Sequence, residues 1–304
     1  MSAALALAAC TTAPQGALVT ETPGDPIPDP FPFSAFAEQC EDWDEWEKPA
    51  PVVRIYGGTY LVGTCGISSV LITTPEGHVL LDAGTERGAE LILDNVRRAG
   101  FSPRNIRYLA FSHEHYDHVG GMAAIKQASG ATLVSSPQAA PVMGTGQVME
   151  DDPQHGTHDA FTPIAPDEVL VTSQPIEVAD LIVTPLATPG HTPGALSWQW
   201  IDCEGLDDNR TCLSIVYADS LSPVSAEGYR FSDHPDYLAA YRAGLDALAE
   251  LPCDILLTPH PSASDMIDRF AGDADILDET ACQRYADEVR RRLDQRIEEE
   301  TAML

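Results

Sequence analysis

The chain has 304 residues, 44% of them hydrophobic, and a formal net charge of −30 from 17 Lys+Arg against 47 Asp+Glu. It can bury a sizeable core as one large domain or two modest ones, which excludes a disordered polyanion. The acidity also disfavours a nucleic-acid backbone as partner, since that needs clustered cations. Lys48 and Lys126 are the only lysines, so a site that needs positive charge must use arginine or a metal.

The first ten residues, with Ala3–Ala9 apolar and Cys10 following, resemble a signal peptide ending in a lipobox. The apolar run is too short to span a bilayer. Residues 11–35 hold Pro14, Pro23, Pro26, Pro28, Pro30 and Pro32 and read as an extended linker. The expected organisation is therefore a signal-like segment, a tether and one folded domain over 36–304, periplasmic and lipid-anchored at Cys10. Six further cysteines, Cys40, Cys65, Cys203, Cys212, Cys253 and Cys282, contain no Cys-x-x-Cys pair. Disulfides suit such a compartment, but six cysteines leave the pairing open among about fifteen combinations.

Within the domain, Val52–Tyr56, Thr59–Val62 and Ser68–Thr73 are β-branched or aromatic and separated by glycines, which predicts strands. His78–Asp82 is a short apolar strand. Residues 88–99 carry helical spacing, with Gly100 as the expected stop. Ile106–Phe111 and Ala131–Ser135 read as strands around a helix that opens at 121–127. Strands are expected near 168–172, 180–187, 196–201, 213–218 and 253–257. A helix is expected at 235–249, and a last one at 280–298 has Tyr285, Val289, Leu293 and Ile297 at steps of four. This mixture predicts an α/β protein with two sheets packed face to face and helices outside.

The chemistry concentrates in Ser112-His113-Glu114-His115-Tyr116-Asp117-His118-Val119-Gly120-Gly121, between a buried strand and a helix. In extended backbone, His113 and His115 point the same way. Asp117 and His118 then fall on the following turn, and the two glycines are expected to let the chain bend tightly. His191, in Thr188-Pro189-Gly190-His191, and His260, in Thr258-Pro259-His260, also follow strands. Five histidines and one aspartate match two zinc sites of three protein ligands each, with open positions for water. Two close ions can activate a hydroxide, which implies metal-assisted hydrolysis of a carbonyl compound.

The His-x-His-x-Asp-His run, with His191 and His260 downstream and Leu81-Asp82-Ala83-Gly84 upstream, resembles the metallo-β-lactamase superfamily. Ile55-Tyr56-Gly57, Tyr60-Leu61-Val62-Gly63, Tyr217-Ala218-Asp219-Ser220-Leu221-Ser222 and Thr258-Pro259-His260-Pro261-Ser262-Ala263-Ser264 are most similar to its subclass B3. The resemblance implies an αββα sandwich. It implies one Zn²⁺ on His113, His115 and His191 and a second on Asp117, His118 and His260. Asp117 would orient the hydroxide, and Ser220 and Ser222 would bind the carboxylate of a small β-lactam. It further implies the pairs Cys253–Cys282, Cys203–Cys212 and Cys40–Cys65, and a monomeric β-lactam hydrolase of the kind that confers antibiotic resistance.

Other readings stay open at this point. A dizinc lactonase, thioesterase or glyoxalase-II-like hydrolase would use Asp219 to bridge the metals. A non-catalytic, lipid-anchored metal-binding protein would need no substrate site. Glu114 is expected to point away from the metals with little effect. His155 and His158 read as exposed loop residues, and Arg230 as a solvated loop arginine that could assist substrate binding.

Overall fold

The computed structural model describes residues 31–302 apart from 172–173 and 207–208. The signal-like run, Cys10 and residues 11–30 lie outside the described residues. The expected domain start at residue 36 falls inside a first helix, α1 (Phe33–Gln39), whose Phe36 is buried edge-on against Phe270.

One sheet takes seven strands in chain order: β1 (Val53–Tyr56), β2 (Thr59–Leu61), β3 (Val70–Thr74), β4 (Gly77–Leu81), β5 (Ile106–Ala110), β6 (Thr132–Ser135) and the two-residue β7 (Glu168–Val169). The second has β8 (Ile176–Val178), β9 (Leu181–Ala187), β10 (Leu196–Glu204), β11 (Thr211–Tyr217) and β12 (Ile255–Leu257), ordered 12-11-10-9-8. The remaining helices are α2 (Gly88–Arg98), α3 (Tyr116–Val119), α4 (Met122–Ser129), α5 (Ala140–Thr145), α6 (Pro235–Ala249), α7 (Met266–Ala271) and α8 (Ala281–Ala302).

Strand alternation produces the layers. Val70, Ile72, Val79 and Leu81 face Trp198, Trp200, Ile215 and Tyr217 of the other sheet, forming the central core. Their neighbours Leu71, Leu80 and Leu109 point outward and pack under Ile92, Val96 and Ile125 of α2 and α4. On the far side, Val216 and Leu256 pack under Tyr241 and Leu245 of α6 and Val289 and Leu293 of α8. Apolar residues on both faces explain why these strands read as continuous hydrophobic runs. The result is the αββα sandwich. The sheets are also joined by polar contacts: Trp198 Nε1 donates to the Phe111 carbonyl at 2.9 Å, and Leu196 N to the Ser112 carbonyl at 2.7 Å.

Within this frame β4 runs parallel to β5, and β11 parallel to β12. β9 and β11 flank β10 antiparallel, so they share a direction. The functional loops leave the C-terminal ends of β4, β5, β9, β11 and β12, where the two sheets meet. Open α/β sheets place sites at such ends.

Three disulfides form with the pairing the resemblance implies: Cys40–Cys65, Cys203–Cys212 and Cys253–Cys282. The last closes 29 residues and fixes the start of α8 beside β12. Replacing Cys253 and Cys282 with alanine is expected to lower stability by about 3.6 kcal/mol, the loop-closure value for such a separation. The check is a drop of several degrees in melting temperature relative to the oxidised parent. An unchanged melting temperature would mean that packing alone holds α8.

Candidate metal centre

The centre begins at the end of β4. Asp82 is fully buried and holds a left-handed backbone, φ +61°. Its Oδ1 accepts Ser112 N at 2.6 Å, and its Oδ2 accepts Ser112 Oγ at 2.8 Å and Tyr217 OH at 2.7 Å. His118 Nδ1 lies 3.0 Å from the same Oδ2. One carboxylate thus ties the end of β4 to the end of β5, to α3 and to β11.

From Ser112 the chain extends through His113 and His115, then turns into α3, which carries Asp117 and His118. Gly120 and Gly121 serve close approach rather than an unusual bend. Both have ordinary helical angles, and a Cβ at Gly121 would lie 2.2 Å from the Ala83 carbonyl. This proximity lets α3 and α4 pack against the loop that follows Asp82.

All six expected ligands converge. Ligand atoms of His113, His115 and His191 lie within 4.8 Å of one another. His118 Nε2 is 3.0 Å from Asp117 Oδ2, and His260 Nε2 is 3.3 Å from both. The His113 and His118 ring centroids are 4.0 Å apart, so the two groups adjoin.

Each ring is held from behind by an oxygen. His113 Nδ1 meets Asp219 Oδ1 at 2.8 Å, and His115 Nε2 meets Asp152 Oδ2 at 3.2 Å. His118 leans on Asp82. His191 Nδ1 meets the Ser222 carbonyl at 3.0 Å, and His260 Nδ1 the Gly66 carbonyl at 3.1 Å. A carbonyl only accepts, so His191 and His260 carry their protons on Nδ1 and turn Nε2 inward. Such outer partners fix tautomer and ring plane in metal sites.

The electrostatics suit a cation. Burial, reinforced by neighbouring rings, holds His113 and His115 far below the ordinary imidazole range, and takes His191 down to about 3. They are neutral electron-pair donors at physiological pH. Burial opposes charge on His118, but the Asp117 and Asp82 carboxylates outweigh it and raise the ring to about 10. Burial likewise opposes charge on Asp117, yet His118 and His260 hold it well below the ordinary carboxylate range. His115 Nδ1 and Asp117 Oδ1 are buried without a hydrogen-bond partner. Unpaired inward donors of this kind are costly unless something fills the space between them, and five imidazoles with a carboxylate suit zinc.

Asp219 is not among the converging ligands. Its Oδ1 faces His113 and its Oδ2 accepts Leu221 N at 3.1 Å, so both oxygens are engaged in the shell behind the centre. Glu114 points away from the ligands as expected, but it is not idle. It is buried, its carboxyl pushed up to about 7 by burial, and it accepts Thr192 Oγ1 at 2.7 Å and Gly194 N at 2.8 Å. Glu114 therefore joins the His113–His115 segment to the turn that carries His191.

The two loop histidines separate. His155 is exposed and directed at the Met149 carbonyl, whereas His158 is only partly exposed and stacks on His115 with centroids 3.9 Å apart. His158 therefore departs from the exposed position the sequence suggests, because the acidic loop folds back over the centre. Arg230 donates to the Glu300 carbonyl at 2.9 Å, which ties it to α8 rather than leaving it solvated in a loop. Ser220 Oγ is buried and unpartnered, while Ser222 and His191 border a cleft of about 510 Å³ with Ser220. Asp152 and Arg292 carry no signal in the sequence, and Tyr217 and Tyr285 stand out there only in a motif and a helix pattern, with no role at the centre. Tyr285 OH, from α8, donates to the Ser220 carbonyl at 2.6 Å.

The profile of the metallo-β-lactamase superfamily matches residues 62–203. The structure is similar to the MIM-2 metallo-β-lactamase, with 51% identity, a TM-score of 0.83, and coverage of 88% of this chain and 98% of that one. It is also similar to MIM-1 from Novosphingobium pentaromativorans, at 42% identity, a TM-score of 0.85, and coverage of 89% and 99%. A third likeness is to MEM-A1, a subclass B3 metallo-β-lactamase from a soil metagenome library, at 35% identity, a TM-score of 0.80, and coverage of 86% and 100%. A weaker likeness is to the N-acyl homoserine lactonase AttM of Agrobacterium fabrum, 26% identical over 154 residues. That match spans 42% of this chain and 57% of the lactonase.

The oxygen behind each ring yields a test. Asp219→Ala is expected to weaken zinc binding about 10–100-fold while leaving all six inward ligands in place. Competition against a chromophoric chelator measures this. Unchanged affinity would show that His113 needs no partner behind it.

Proposed function

The chain belongs to the metallo-β-lactamase superfamily, and from that premise we propose that it hydrolyses the β-lactam ring of penicillins, cephalosporins or carbapenems. The observation that carries this reading is the placement of Asp219. With both its oxygens engaged elsewhere, the inward set is five histidines and Asp117, without the bridging carboxylate that the lactonase or glyoxalase-II-like alternative requires. The limited span of the lactonase likeness agrees with that preference. A purely metal-storing protein would have no use for a buried, unpaired serine hydroxyl facing a cleft beside the ligands.

Two zinc ions are proposed, one held by His113, His115 and His191 and the other by Asp117, His118 and His260. Bound there, zinc would bring the pKa of water toward neutrality and polarise the lactam carbonyl. Asp117 uses Oδ2 on His118 and His260 and keeps Oδ1 free. Oδ1 is thus available to orient the attacking water and hold its proton. Water adds to the carbonyl carbon, the C–N bond breaks, and the ring nitrogen takes up a proton. Ser220 Oγ and the Ser222 hydroxyl would donate to the carboxylate beside the ring. Three disulfides fit an oxidising compartment, which supports a periplasmic location.

Zinc-loaded protein is expected to turn over a chromogenic cephalosporin, to lose that activity to a chelator, and to regain it with added zinc. Asp117→Ala should lower kcat by about a hundredfold or more with an unchanged near-UV circular dichroism spectrum. Rapid cleavage of an acyl-homoserine lactone or a thioester without β-lactam turnover would overturn the assignment.

A further inference from the structure

The cleft beside the metal centre has a wall that the reaction scheme leaves unused. Tyr285, Glu288 and Arg292 stand at i, i+3 and i+7 on α8, which puts them along one side of the helix. Tyr285 grips the Ser220 carbonyl, so this side of α8 abuts the loop bearing the substrate serines. Glu288 and Arg292 then line the cleft that Ser220, Ser222, His191 and His260 also border.

Arg292 is the only lysine or arginine among the described residues lining that cleft. Its donors are nearly unspent. Nε is buried with no hydrogen-bond partner, and the nearest carboxylate oxygen, Glu288 Oε1, is 3.8 Å away, beyond hydrogen-bond range. Glu288 is hydrogen-bonded by Arg291, at 2.5 Å from Nη2 and 3.0 Å from Nε, and keeps only that long ion pair to Arg292. The other arginines of α8 nearby are committed: Arg290 to Asp246 and Asp287, and Arg296 to Glu300 and Ser225. The charge of Arg292 is also felt by the buried Tyr241 and Tyr285 phenols, which bond the carbonyls of residues 219–221. Arg292 and the serine loop thus border the same cleft.

We infer that Arg292 is a specificity-determining residue that receives the substrate's carboxylate together with Ser220 Oγ. The inference rests on the β-lactamase reading. A guanidinium offers two parallel donors to a carboxylate, and the serine hydroxyl a third. Without Arg292, Glu288 and Asp265 would leave the cleft wall negative, in a chain already at −30. An anionic substrate would then meet repulsion on its way to the metals.

The experiment compares a chromogenic cephalosporin with its methyl ester, using zinc-loaded parent, R292A, R292Q and R292K. The parent is expected to prefer the acid. R292A and R292Q should lower kcat/KM for the acid about tenfold, mainly through KM, and leave the ester nearly unaffected. R292K should recover part of the preference as a point charge. Zinc content and melting temperature should match the parent in all three, which separates substrate recognition from a structural role. An acid-to-ester ratio in R292A and R292Q equal to that of the parent overturns the inference while leaving the hydrolase reading intact. Failure of the parent to open either compound overturns both.

Discussion

The buried carboxylate of Asp82 is the contact on which the rest of the centre depends. It gathers the end of β5, the Tyr217 hydroxyl from the opposite sheet and the His118 ring onto one residue. An isolated charge with no solvent exposure would be prohibitively costly, and surrounding donors offset that cost. The arrangement also explains the left-handed backbone of a non-glycine residue here. Strain of that kind persists where neighbouring contacts over-determine the conformation.

The same logic repeats outward. Every candidate ligand histidine presents one nitrogen to the centre and rests the other against an oxygen contributed by a different part of the chain. Those oxygens come from the loops after β4 and β11, the acidic loop around Asp152, and the segment near Gly66 that the Cys40–Cys65 disulfide anchors. Imidazole orientation is thus a property of the whole sandwich. Helix α8 completes the arrangement. Its first turn is stapled to the β12 segment, Tyr285 clamps the serine loop, and Arg292 reaches the cleft. Acidity elsewhere on the chain makes the few cations that face the site more consequential.

The candidate metal ligands were legible because four of them fall in one short run, and because His191 and His260 each follow a strand. The long helices at 235–249 and 281–302 were legible from periodicity. Helix α5 was not, because Pro141 and Gly144 interrupt its pattern, nor was α1, which emerges directly from proline-rich sequence. β8 is three residues long, too short for alternation to register. The supporting shell was the least visible. His113 and Asp219 are 106 residues apart, and His260 and Gly66 are 194 apart. Local pattern carries no information about such pairs. Glu114 illustrates the difference: its outward direction followed from strand alternation, but its grip on Thr192 and Gly194 required the folded turn.

Outer oxygens aim five histidines and Asp117 at two adjoining positions, while Asp219 stays behind His113. Anomalous diffraction at the zinc edge, from crystals of the zinc-loaded protein, tests it most directly. Two peaks are expected, one bonded to His113, His115 and His191 and the other to Asp117, His118 and His260, with Asp219 on neither. A single peak, or an Asp219 oxygen bonded to zinc, would contradict it.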